Sequence, residues 1–207
     1  MAAFLSNIRY VAWTALAVAM ALLIYFAVVA GGFGFGDSIY WEMVLRWSHV
    51  LVGIMWIGHL YYFNFTQIPN MPKIPDEQKP AVTKVIAPAA LYWFRWGAML
   101  TLITGILLSW NQGYLLQAYT LGALEGFAAP KHILIGIGMW LATIMWFNVW
   151  FIIWPNQQKA LNIDNKYPDL EPAAKAAAGK TAMLFSRTNT FLSAPMLVAM
   201  TGASTLF

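Results

Sequence analysis

The sequence predicts an all-α integral membrane protein with five transmembrane helices. Four form a core made from a tandem two-helix repeat, and one is added at the N-terminal side. Three observations lead there. The 207 residues are 60% hydrophobic and only 10% charged, with a mean hydropathy of +0.61, and a soluble domain carries far more charge. The stretches 10–32, 39–66, 86–110, 130–154 and 183–206 each supply the ~20 apolar residues of a helical span. Short motifs also recur in the same order along the chain. The whole of 1–207 reads as one membrane domain.

The first helix follows Arg9 and contains small residues, as a signal peptide does. Its apolar run is longer than a typical signal h-region, so it is read as an anchor. The second helix, through "WSHVLVGIMWIGHLYYFNF" at 47–65, sets His49 and His59 in an apolar run. A proline- and charge-rich loop, "IPNMPKIPDEQKP", leads to the third helix, which carries "MLTLITG" at 99–105. The fourth contains "HILIG" at 132–136, and an alanine-rich "EPAAKAAAGK" precedes the fifth, with "MLVAMTG" at 196–202. Neither loop is long enough to be a domain. Eleven Trp, nine Tyr and thirteen Phe fit interfacial belts and close helix packing.

Charge sets the orientation. Arg9, Lys73, Lys79, Lys84, Lys159, Lys166, Lys175 and Lys180 fall on one side, against Lys131, Asp37 and Glu125 on the other. The positive-inside rule then puts the N-terminus in the cytoplasm and the C-terminus in the periplasm of a bacterial inner membrane. These lysines account for the net charge of +4, so no nucleic-acid partner is expected. The absence of cysteine excludes disulfides, thiolate metal sites, iron–sulfur clusters and covalent c-type haem. No nucleophile–base pair, phosphate loop or carboxylate dyad supports hydrolase or kinase chemistry.

"HVLVG" at 49–53 matches "HILIG" at 132–136, and Phe63-Asn64 then Pro69-Asn70 match Phe147-Asn148 then Pro155-Asn156. "MLTLITG" matches "MLVAMTG". The offsets, 83, 84, 86 and 97, grow in chain order. Helices 2–3 and 4–5 therefore read as a parallel repeat about an axis along the membrane normal.

The repeat makes His49 and His132 mates. Measured from the prolines taken to end their helices, they lie 20 and 23 residues up, depths agreeing within ~5 Å at ~1.5 Å per residue. Two histidines at one depth on facing helices suit bis-imidazole ligation of haem b. Gly53 and Gly136, one turn below, would leave room for the porphyrin edge, and Arg46 and Lys131 would meet its propionates. Interhelical hydrogen bonding or another metal are the alternatives. His59 has no histidine mate; with Met145 at similar depth it would suit a His/Met haem or copper site, and otherwise it is a core histidine. A second polar set, Asn64, Gln67, Arg95, Asn148, Arg187 and Asn189, would form an anion or quinone-head pocket. The alternative is snorkelling arginines and structural asparagines.

"RWSHVLVGIMWIGHLYYFNFTQIP", "NVWFIIWPNQQK" and "SRTNTFLSAPML" together resemble the membrane domain of PuuD-type urate hydroxylases, the urate oxidase N-terminal domain family. The H-x-x-x-G pattern is more distantly similar to HemJ-type and CopD-like membrane proteins. The resemblance implies a membrane oxidoreductase, and in the longer relatives urate oxidation with electrons passed to a fused cytochrome c domain. This chain has no C-x-x-C-H, runs to Phe207, and carries Thr188 where the family has a histidine, so a stand-alone membrane domain is expected. Two functions remain open. One is a haem b redox protein in the lipid bilayer, an oxidoreductase or carrier working with a separate cytochrome c or quinone, with copper as the less favoured cofactor. The other is a non-catalytic accessory or assembly subunit of a larger respiratory or copper-enzyme complex.

Overall fold

The computed structural model describes residues 2–207, without the side chain of Ala3. Among these residues there is no strand. Four helices are long and apolar enough to cross a membrane: α1 (Ile8–Ala30), α2 (Ser38–Lys73), α3 (Ala81–Asn111) and α4 (Pro130–Leu161). A fifth, α5 (Pro172–Thr205), has 34 residues and so is ~51 Å long at ~1.5 Å per residue. It carries Lys175, Lys180 and Arg187 in its first half and Asn189, Thr190, Ser193 and Thr201 in its second, and it is not in the apolar set. Exposed aromatic and aliphatic side chains surround the molecule, including Trp13, Phe65, Trp110 and Phe191. A surface of that kind is stable against lipid rather than water.

α2 and α4 overrun the spans expected from sequence, and prolines are the reason. Pro69 and Pro155, expected to end helices 2 and 4, both lie inside α2 and α4. Each stands two residues beyond a π-helical turn, Tyr62–Gln67 in α2 and Asn148–Ile153 in α4. Pro88 of α3 stands likewise behind the π turn Ala81–Ile86. A proline lacks the N–H and collides with the carbonyl four residues back. Here that carbonyl belongs to Phe65, Phe151 or Lys84, each within the wider π turn, where the helix adjusts without breaking. α4 ends instead at Asn162, in the left-handed conformation (φ 48°, ψ 54°), which asparagine tolerates.

Packing is by pairs. α2 lies most extensively against α3, and α4 against α5. One core spans all four, built on Trp56, Leu60, Phe94, Met145, Val149 and Met196 among others. α1 stands aside, holding Leu23 and Ala27 against Tyr40 at the start of α2. Gly97 sets the α2–α3 spacing, since a Cβ there would come within 3.1 Å of the Trp56 nitrogen. Lys84 donates to the Leu161 carbonyl (2.5 Å). That bond brings the start of α3 to the end of α4 and gathers both lysine-rich loops at one end of the bundle. At the other end, a short helix (Leu115–Tyr119) unanticipated in the sequence folds over α4. The Tyr119 carbonyl accepts from Trp140 (2.9 Å), and its hydroxyl bonds Thr143 (3.1 Å).

Candidate functional site

Three of the residues that stand out in the sequence, Arg46, His49 and Lys131, line one cavity of about 260 Å³ near the end of the bundle away from the lysine-rich loops. Gln112, Tyr114, Met139 and Met200 also line it. A smaller adjoining space of about 40 Å³ shares His49, Gly105, Met139 and Met200 and adds Met196.

His49 is bonded to α3. The Thr104 hydroxyl lies 2.7 Å from the Leu100 carbonyl and 3.1 Å from His49 Nδ1; with the hydroxyl proton directed at that carbonyl, its oxygen is an acceptor for Nδ1–H. The Nδ1 tautomer of a neutral imidazole leaves the lone pair on Nε2. Gly105 makes the approach of α3 possible, because a Cβ there would stand 3.0 Å from the His49 ring. Thr104 and Gly105 are the "TG" that closes the α3 motif. The motif alone does not reveal their bearing on His49, because spacing within one helix does not show what faces it.

At the cavity mouth Arg46 pairs with Glu42 (2.6 Å), as the one-turn spacing suggests. Among the described residues Lys131 has no carboxylate within bridging distance. Burial pushes the Tyr114 phenol up, with Arg46 pulling the other way, so the hydroxyl stays protonated and able to donate at neutral pH.

His132 occupies different surroundings. Its Nδ1 pairs with Glu125 at 2.5 Å, and its ring stacks on Tyr114 with centroids 5.7 Å apart. Tyr114 lines the cavity and His132 does not, so the structure does not bring the two histidines to one wall. The two glycines do not flank a shared slot either. A Cβ on Gly136 would collide with the Ala118 carbonyl of the short helix, whereas one on Gly53 would meet only Thr101 at 4.0 Å. Gly136 therefore admits main chain, and Gly53 is under no steric demand.

The second polar set is a seam rather than a single pocket. Asn64 donates to the Leu60 carbonyl (2.9 Å) and to Ser186 (2.7 Å). Asn148 donates to Asn189 (2.8 Å), which donates to the Met145 carbonyl (2.9 Å). The Ser193 hydroxyl bonds the Thr190 carbonyl (2.7 Å) and the Tyr61 hydroxyl (2.9 Å). Ser186, Asn189 and Ser193 are all buried along one face of α5. Arg95 is apart from them, its guanidinium 3.7 Å from the Trp154 ring centre and 5.1 Å from Trp150. Arg187 is exposed. The Gln67 side-chain oxygen is buried without a partner. Met145 is fully buried in the core, while His59 lines a separate groove in which Met145 has no part.

Residues 113–204 match the family model described as urate oxidase N-terminal. That stretch of the chain is similar to the family. The matched segment takes in Tyr114, the short helix, α4 and all but the last residue of α5, including the segments "NVWFIIWPNQQK" and "SRTNTFLSAPML" that carry the resemblance. It thus supplies one wall of the cavity, while Arg46 and His49 lie before it. No curated protein and no solved structure matches the chain. Among the described residues no group of three or more His, Cys, Asp or Glu is placed to hold a metal ion.

Proposed function

We propose that the chain is a membrane redox protein related to the urate hydroxylase membrane domain, and that His49 ligates a haem b. The observation that carries this reading is the 3.1 Å hydrogen bond between His49 Nδ1 and the Thr104 hydroxyl. Ligating histidines are typically oriented by such a bond to the other ring nitrogen, and it leaves the Nε2 lone pair on a side chain lining a cavity. Haem bound there would supply one-electron chemistry. Arg46 and Lys131 would hold its anionic groups at the cavity mouth. The thioether of Met139 or Met200, which line the same cavity, would help to hold the haem, or His132 would after displacement of Tyr114. Those methionines also favour a second reading, a copper site of imidazole and thioether ligands. Electrons would pass to a separate cytochrome c or quinone. An accessory or assembly subunit of a larger complex is the competing role, with His49 then only tying α2 to α3.

The test is the visible spectrum of purified protein produced with adequate haem supply. Sharp reduced α and β bands are expected. Protein that takes up neither haem nor copper would leave the accessory role.

We also propose that α5 crosses the bilayer, giving five spans, and that α2–α3 and α4–α5 are a repeat. The matched π turns, each followed at two residues by proline, support the repeat, as does the pairing of α2 with α3 and α4 with α5. With both lysine-rich loops at one end, the N-terminus would be cytoplasmic and the C-terminus periplasmic in a bacterial inner membrane. The chain has no cysteine, so Lys79→Cys and Lys166→Cys each give a single label. Neither should react with an impermeant reagent in intact cells; reaction of both would invert the topology.

A further inference from the structure

His59 stands in a groove of about 520 Å³ between α2 and α3, walled by Ile54, Met55, Gly58, Tyr62, Ile86 and Trp93 among others. The groove opens sideways: Ile54, Trp93 and Ile86 are each at least half exposed, and no charged residue lines it. A ligand would therefore enter from the lipid rather than from water. Gly58 keeps the wall low beside the imidazole, since nothing lies within 4 Å of where its Cβ would be. Trp93 and Tyr62 supply aromatic surface for a flat ring.

The bonding of His59 dictates what kind of ring. Its Nδ1 lies 2.7 Å from the Met55 carbonyl. A carbonyl can only accept, so Nδ1 carries the proton, and Nε2 of the neutral ring is an acceptor alone. Nε2 has no hydrogen-bond partner among the described residues. An acceptor facing hydrocarbon is costly to leave unpaired. Acyl chains cannot donate to it, and a quinone, which only accepts, cannot either. A hydroquinone can.

We infer that this groove binds a lipid-soluble hydroquinone, with one ring hydroxyl donating to His59 Nε2 and the tail lying along the apolar wall. The site is separate from the His49 cavity and does not depend on a cofactor there. It also differs from the asparagine-lined quinone-head pocket that the sequence suggests.

The experiment is calorimetric titration of the full chain in lipid nanodiscs with a decyl-substituted benzohydroquinone, its quinone and its dimethyl ether. Saturable binding of the hydroquinone is expected, with the quinone and the ether weaker by about tenfold, the order of one hydrogen bond. His59→Phe should remove the difference between hydroquinone and ether. Gly58→Leu should weaken all three, and His49→Ala should leave all three unchanged, whatever happens to the spectrum. Equal binding of ether and hydroquinone, unchanged preference in His59→Phe, or no saturable binding in well-folded protein would each overturn the assignment. The last of these would mean that ordinary lipid or water fills the groove.

Discussion

Helices α2 and α4 share a histidine with glycine four residues on, a Phe-Asn pair, a π turn and a proline two residues past it. Their halves towards the lysine-rich loops are used alike: Asn64 reaches Ser186 and Asn148 reaches Asn189, both on α5. Their opposite halves diverge. His49 is fixed by a threonine hydroxyl and lines a cavity. His132 is held by Glu125 and shielded by Tyr114. The segment leading into α4 holds the short helix Leu115–Tyr119, which covers α4, whereas the segment leading into α2, residues 31–37, holds no helix. Similar helices can therefore carry a common scaffold while a connecting segment decides which histidine is available for chemistry.

The glycines break or sharpen this comparison with the largest effect. Gly136→Ala should destabilise the protein by roughly 1–3 kcal/mol, because its Cβ meets fixed main chain. Gly53→Ala should be neutral or stabilise by up to ~1 kcal/mol through helix propensity. Thermal unfolding in one detergent compares them directly, and equal effects would mean that the short helix does not press on α4. Next, Asn189→Leu should lose about 1–3 kcal/mol, since it leaves the Asn148 amide buried without an acceptor. A neutral result would show the seam to be dispensable. Thr104→Val should lower cofactor affinity about 10- to 100-fold by freeing the His49 ring, with little change in unfolding temperature. Glu125→Gln should be the mildest, under about 1 kcal/mol, because the His132 pair is partly exposed and such pairs contribute little.

Much of this molecule is legible in its chain. The apolar runs locate the helices, the lysines mark one end, and asparagines within apolar helices demand partners, which α5 supplies. The C-terminal motifs carry the family resemblance. The features that sequence alone misplaces share a physical cause. Pro69 and Pro155 look like stops because proline removes a donor, but a π turn one step earlier absorbs the clash, and no simple periodicity announces it. Gly53 and Gly136 look equivalent because their contexts match. Their real environments depend on what packs across from them, and that is set by distant segments. "GYLLQAYT" at 113–120 looks like loop because its helix is only five residues long.

On the proposed function, His49 rather than its sequence mate is the residue that must hold the redox cofactor. Reduced-minus-oxidised visible spectra of the wild type, His49→Ala and His132→Ala, each at known protein concentration, test this most directly. Wild-type protein should show low-spin haem bands, and His49→Ala should lose them. His132→Ala should keep the haem, with at most a change of spin state if His132 is the other ligand and no change if a methionine is. Full low-spin haem in His49→Ala would contradict the assignment.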